Sequence, residues 1–448
     1  MYPLPLPPRA KSIPAKLCQR GLGLASACLL LATLGFAAMP LPKTTSSTQR
    51  LSLGQAKDIA LDQNQDLRTA RGDIEAAIGM LATAQEVPNP TLNASISKIR
   101  IGQSQSVGLG NSFFDRNYDN IVAVSELVEI GKRTPRKISA KSALAAARAK
   151  YEETRRQLYL SVSRAYVAAL LGDESLRILN DSAASLRKES NIGKDRLKLG
   201  DLSVSDEDQI LIAADRLELD AKVAANNALA ARIQLQTLLG AGTPNGDVTL
   251  TDHLSDFSMT ADHADGERPD IIAAEALVRK SEADLKLAKA QRIPDPTISL
   301  QFEREAPDNL HSIGVAVSFA LPLFNRNKGA IHSAEAALDQ AQAMLVKTHT
   351  QVNSDITTAI AAYKEASARL ARYEEEIKPK ARQVRESITF AYEKGGASLL
   401  DLLAAQRSDN DIRAATAQAA ADRAAAAAAL SSARNQAFRT NKYNKKTP

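Results

Sequence analysis

The chain has 448 residues, 44% of them hydrophobic and 24% charged, with no tryptophan and a formal net charge of +6. That charge does not point to nucleic acid: Arg9, Lys11, Lys16 and Arg20 lie in the first 38 residues, which hold no acid, so the remainder carries 6 − 4 = +2, and no basic patch with interleaved aromatics occurs. Cys18 and Cys28 lie in the same stretch, which leaves the rest of the chain without a disulfide, a thiolate nucleophile or a cysteine metal ligand.

Residues 1–38 read as a secretory signal, with a basic region, an apolar run from Gly21 to Ala38 and small residues suited to cleavage after Ala37 or Ala38. An uncleaved anchor is the alternative, although the run is short for a stable span. Cys28 sits in the middle of the run rather than at its end, which fits packing of the signal better than acylation. Residues 39–50 form a polar lead-in. From Leu51 a helix is predicted to continue to about Glu86, with Leu67, Ile74, Ile78 and Leu81 on its apolar face. Pro88-Asn-Pro90 stops it, because proline has no N–H and restricts the residue before it. The period then becomes two. Leu92, Ala94 and Ile96 alternate with polar residues, a bulge is expected near Lys98, a loop follows from Gly102 to Asn117, and a second strand runs from Asn120 to Val128.

Lys132 to Leu199 is predicted as one helix. Leu144, Tyr151, Leu158, Ala165, Gly172, Leu179 and Leu186 recur every seven residues, and Ala140, Ala147, Thr154, Ser161, Ala168, Ser175 and Ser182 form a second, small stripe. Such spacing is the mark of coiled-coil packing. Adding 194 to the first stripe gives Leu338, Leu345, Val352, Ala359, Ala366 and Tyr373; the small stripe returns as Ala334, Ala341, Thr348 and Ala362, broken at Asp355. Each long helix meets a glycine turn, Gly200-Asp-Leu-Ser203-Val-Ser-Asp206 and Gly395-Gly396-Ala-Ser398-Leu-Leu-Asp401, at an offset of 195. The chain is therefore an internal two-fold repeat: residues 51–245, a connector 246–267, residues 268–436 and a tail 437–448. The second copy holds a helix to Arg292, the break Pro294-Asp-Pro296, strands over Ile298 to Phe302 and Ile313 to Leu321, a long helix kinked by Pro379, and a last helix from Leu399 to about Asn435.

Four strands of about nine to eleven residues, apolar on one face, suit transmembrane strands. A soluble sheet with one face on a core is the alternative. Four strands cannot close a barrel and open edges are not tolerated in lipid; three copies would supply twelve strands. The predicted fold class is an α+β membrane protein, mostly α, in which long coiled helical hairpins form a periplasmic α-barrel continuous with an outer-membrane β-barrel of four strands per chain in a trimer.

The whole chain beyond the signal resembles the TolC-type outer-membrane efflux factor family. The resemblance rests on Leu51-Ser-Leu-Gly-Gln-Ala56, the paired Pro-x-Pro breaks, Leu321-Pro-Leu-Phe324 followed by Gly329, and the two glycine turns. Glu129-Ile-Gly-Lys-Arg133 resembles the Glu-Leu-Gly-Gly-Lys-Arg run of the cobalt–zinc–cadmium resistance branch, with one glycine absent. The resemblance implies a homotrimer in outer-membrane lipid, a periplasmic adaptor (membrane fusion) protein, an inner-membrane RND-type proton-driven pump and passive exit of Co²⁺, Zn²⁺ or Cd²⁺. It also implies that Asp206 and Asp401 line the periplasmic entrance, and that Gly200, Ser203, Gly395, Gly396 and Ser398 meet the adaptor. A further entrance carboxylate of some members falls at Ala404. On local chemistry alone, Ser203/Asp206 and Ser398/Asp401 are capping boxes. A duct for drugs or for type I protein secretion is the alternative within the fold, and a periplasmic coiled-coil adaptor or structural protein the alternative outside it. No nucleophile–base pair, phosphate loop or carboxylate dyad occurs, so neither an enzyme nor a cofactor is predicted. No dedicated metal site is predicted; the weakest candidate is His253 and His263 beside Asp252, Asp256 and Asp262.

Overall fold

A computed structural model describes residues 49–97, 119–257, 267–305 and 310–436. In chain order the elements are β1 (Gln49–Leu51), α1 (Leu53–Gln63), α2 (Gln65–Gln85), β2 (Thr91–Ser97), β3 (Asp119–Leu127), α3 (Arg133–Leu199), α4 (Val204–Leu238), β4 (Val248–Leu250), α5 (Pro269–Ala290), β5 (Thr297–Glu305), β6 (Leu310–Ser318), α6 (Lys328–Arg372), α7 (Lys378–Glu393) and α8 (Leu399–Ala433). The bulge near Lys98 and the loop from Gly102 to Asn117 lie outside the described residues.

The seven-residue stripes produce what they predict: α3 is a single helix of 67 residues, about 100 Å long at about 1.5 Å per residue. It packs against α2, α4, α5 and α8. Leu144, Leu158 and Leu186 are buried as the first stripe requires, but Ser161 and Ala168 of the small stripe stay exposed. No residue of the first stripe is exposed, so that stripe stays covered along the helix while the small stripe turns to the surface in its middle. In α6 the stripe is kept, with Val352, Ala359 and Ala366 all buried. The expected kink at Pro379 takes the form of a π turn over Tyr373–Ile377, closed by the Lys378 N–H donating to the Tyr373 carbonyl. Pro379 has no N–H to continue the α ladder there.

The helix predicted from Leu51 to Glu86 is two helices. Asn64 leaves the helical region (φ −67°, ψ 129°), and its side chain accepts from the N–H groups of Asp66 (2.9 Å) and Leu67 (3.3 Å) to cap α2. Asparagine favours this local bond over helix continuation. The lead-in and connector also prove to be structured: β1 pairs parallel with β4, Leu51 opposite Leu250. Around that pair lies the main core, in which Leu51, Leu53, Val162, Tyr166, Leu235, Phe257, Leu370 and Ala424 are fully buried.

The four remaining strands form one antiparallel sheet in the order β2-β3-β5-β6. Thr91, Ser125, Ser299 and Ala316 make a continuous row across it. Its apolar side chains, among them Leu300, Phe302, Ile313 and Val315, are exposed. No described element covers them, unlike a soluble sheet seated on a core.

Candidate functional site

The two glycine turns are built alike. At the end of α3, Gly200 takes φ 81°, and the N–H groups of Gly200 and Asp201 donate to the carbonyls of Leu197 (3.0 Å) and Arg196 (2.9 Å). At the end of α7, Gly395 takes φ 75°, and Gly395 and Gly396 donate to Tyr392 (3.1 Å) and Ala391 (2.8 Å). A side chain would be strained at this left-handed position, and the bonds occupy carbonyls that the helix end leaves free. The Asp206 N–H donates to Ser203 Oγ at 3.1 Å and the Asp401 N–H to Ser398 Oγ at 3.2 Å. The second turn goes further: Asp401 Oδ2 accepts from the Ser398 hydroxyl (2.7 Å) and the Ser398 N–H (3.1 Å). Those two bonds, the hydroxyl first, hold the Asp401 carboxyl below the usual carboxylate range.

The fold brings the turns together. Ile210 of α4, Tyr392 of α7 and Leu399 and Leu402 of α8 form one buried cluster, so Ser203, Asp206, Ser398 and Asp401 share one end of the hairpins. Two residues absent from the sequence reading join them. The Arg196 guanidinium donates to the Glu393 carbonyl at 3.0 Å and lies 5.4 Å from the centre of the Tyr392 ring. Burial pushes the Tyr392 phenol up, the Arg196 charge opposes it, and Asp206 and Glu189 push it up again. Burial and then Glu393 raise the Glu189 carboxyl. At this end of the molecule carboxylates and cations are therefore interleaved: Asp206 and Glu189 act on Tyr392 against Arg196, and Lys188 and Arg196 act on Glu189 against Glu393. Neither Arg196 nor Tyr392 belongs to a local motif; their meeting is visible only in three dimensions.

The connector residues have a different role. Asp252 Oδ2 accepts from the Leu53 N–H (2.9 Å) and from the Tyr166 hydroxyl (3.0 Å), so it ties α1 and α3 to the β1–β4 pair. Burial, then the Asp252 charge, drives the Tyr166 phenol far up. Asp256 Oδ2 accepts the His253 N–H at 3.0 Å. His263 and Asp262 lie outside the described residues, among which no three His, Cys, Asp or Glu side chains gather as a metal would need.

The run Glu129–Arg133 builds a joint between helices and sheet. Both Glu129 oxygens hold Arg136, whose Nε and Nη2 also donate to the carbonyls of Ala84 (3.2 Å) and Glu86 (3.1 Å). Lys132 Nζ reaches Asp295 at 2.6 Å, and the Ile130 N–H donates to the same carboxylate at 2.9 Å. Burial opposes ionisation of Asp295, but these two donors outweigh it and hold its carboxyl below the usual range.

Comparison with known proteins agrees with this architecture. The family model described as "Outer membrane efflux protein" matches residues 57–241 and 261–436. The chain is 22% identical over 362 residues to the Cobalt-zinc-cadmium resistance protein CzcC of Cupriavidus metallidurans, covering 80% of this chain and 83% of that one. It is 26% identical over 372 residues to the Outer membrane protein OprJ of Pseudomonas aeruginosa, covering 78% and 77%. The crystal structure of the Neisseria gonorrhoeae MtrE outer membrane channel superposes with a TM-score of 0.70 at 21% identity, over 86% of this chain and 89% of that one. A mostly helical chain with one open antiparallel sheet, matched along both of its halves, belongs to the outer membrane efflux protein family.

Proposed function

We propose that this protein is the outer-membrane exit duct of a tripartite efflux system and carries heavy-metal cations such as Co²⁺, Zn²⁺ or Cd²⁺. An inner-membrane RND-type proton-driven pump does the work, and a periplasmic adaptor joins pump to duct. The observation that carries the metal reading is the likeness to CzcC over 80% of the chain, together with the Glu129–Arg133 run. Three copies closing edge to edge supply a twelve-stranded barrel, and their helices a tube beneath it. The two glycine turns meet the adaptor through Gly200, Ser203, Gly395, Gly396 and Ser398. Asp206 and Asp401 ring the entrance, where convergent carboxylates concentrate cations and resist anions.

The joint-building role of Glu129 to Arg133 means that this run marks the branch without touching cargo; selection of the metal belongs to the pump. A drug or protein-export duct is the second reading, favoured by the higher identity to OprJ, whose name carries no metal. A strain lacking the protein, compared with the same strain complemented, tests the two. Metal sensitivity at least several-fold greater, with unchanged antibiotic tolerance, is expected; unchanged metal tolerance with increased antibiotic or dye sensitivity would transfer the assignment to the second reading.

A further inference from the structure

One apolar knuckle is left bare. After β6, Leu321-Pro-Leu-Phe324 leads back to α6 with Leu321 67%, Leu323 64% and Phe324 99% exposed. Arg326 and Lys328 follow, also exposed and without a carboxylate partner among the described residues. An exposed apolar group of this size, rimmed by charge, marks a contact surface.

The topology identifies what lies beside it. β2 and β6 are the two edges of the sheet, and the row Thr91–Ser125–Ser299–Ala316 fixes their relative height. The joint before β2 and the joint after β6 thus sit on the same rim, at opposite edges. The first of these is bare as well: Val87 is 56% exposed, and Glu86 is exposed with no cation on its carboxylate among the described residues. Copies that add edge to edge around a closed ring bring the β6 side of one to the β2 side of the next. β6 runs toward the rim and β2 away from it, so the new pair is antiparallel like every other pair in the sheet. Strand tilt in a closed barrel carries the continuation of β6 past the row. The segment Leu321–Phe324 then reaches the level of Val87–Pro90. Glu86 offers Arg326 and Lys328 a carboxylate, although Arg133 and Arg136 bind the carbonyls of Gln85 and Glu86 beside it.

We propose that the Leu321–Lys328 turn couples one copy to the next: Leu323 and Phe324 seat on Val87 and Pro88 of the following copy, and Arg326 and Lys328 face its Glu86. The inference rests on the ring assembly given under the proposed function, and names the contact that closes it at the joint between sheet and helices.

Two experiments test it on the full chain in outer membranes. With Cys18 and Cys28 changed to Ser, the double variant Val87→Cys/Phe324→Cys is treated with a short bismaleimide. Covalent dimers and trimers from the double variant, and none from either single variant, are the expected result. Monomer bands alone, while a lysine cross-linker still captures three chains, would remove this contact and leave the ring intact; failure of both reagents would remove the ring and the contact with it. The chain has no tryptophan, so Phe324→Trp is a lone reporter. Blue-shifted emission unaffected by brominated lipids is expected, whereas strong quenching would show that the knuckle faces lipid and overturn the proposal.

Discussion

Ser203 and Ser398 each cap a helix, yet only one of the two aspartates beside them is occupied by the cap. Asp401 spends one oxygen on both donors of Ser398, while Asp206 gives only its backbone N–H to Ser203. Its charge is felt by Tyr392 across the hairpins. Replacing both aspartates by Asn keeps size and removes six charges from three copies (2 × 3). In planar bilayers the double variant should lose most of its cation selectivity and its block by divalent ions, provided the helical signal in circular dichroism is unchanged. Wild-type selectivity in a folded variant would make both residues caps and nothing more. The pH dependence has a definite sign. A carboxyl whose folded pKa is depressed keeps its contribution above the ordinary carboxylate range and loses it only as pH falls through the lower folded value. The Asp401 turn should therefore stay charged and capped at mildly acid pH, read as an unchanged unfolding temperature of that end of the helices from neutral pH to there.

Helix α3 and its partners show why so much was legible in one dimension. A seven-residue repeat is a local signal, and it produced one helix of the expected extent. Pro-x-Pro breaks and glycine turns are equally local. The misses are non-local. Gln49–Leu51 and Val248–Leu250 are each too short to show a period and become strands only by finding each other. The break in the small stripe at Asp355 has a cause the stripe does not show: its carboxylate receives buried Arg268 at 3.0 Å. Arg196 and Tyr392 could not be found because their partners are set by how the hairpins lie together. Gly172 is a further non-local case: it stands on the first stripe, and only its packing against α4 gives it a role. Glycine inside a helix costs about 1 kcal/mol relative to alanine, but a Cβ there would lie 2.9 Å from the Ala228 Cα. Backbone cannot yield as a flexible side chain can. Gly172→Ala should therefore destabilise by up to about 2 kcal/mol, the penalty of an overpacked core less the helix propensity that alanine regains, read as a lower unfolding temperature in detergent. A neutral or raised unfolding temperature would mean that α3 and α4 have room to separate.

At the scale of the whole chain, the exposed strands and the two unpaired edges are a statement about number. A single copy leaves Leu300, Phe302, Ile313 and Val315 in the open and the outer edges of β2 and β6 without a neighbour among the described residues. Exposed edges in lipid leave backbone groups unpaired at several kcal/mol each. Cross-linking of the purified protein in detergent should therefore show three-chain species that survive dilution. A stable monomer with its full β content would defeat the barrel. Strand alternation made this much readable from sequence; the copy number rests on closure and not on any residue.

The π turn at Tyr373–Ile377 lies where the spacing of the two halves changes. The stripes of the two halves correspond at an offset of 194, whereas the glycine turns correspond at 195. The second half therefore holds one more residue between its stripe and its turn, and the slip falls between Tyr373 and Ala381, where Ala381 and Ile388 take over the seven-residue spacing. A π turn is how a helix absorbs one surplus residue without breaking. On the repeat read from the sequence, the second half holds its extra residue where the helix widens into a bulge beside Pro379, so the turn at Gly395 keeps its place relative to the turn at Gly200.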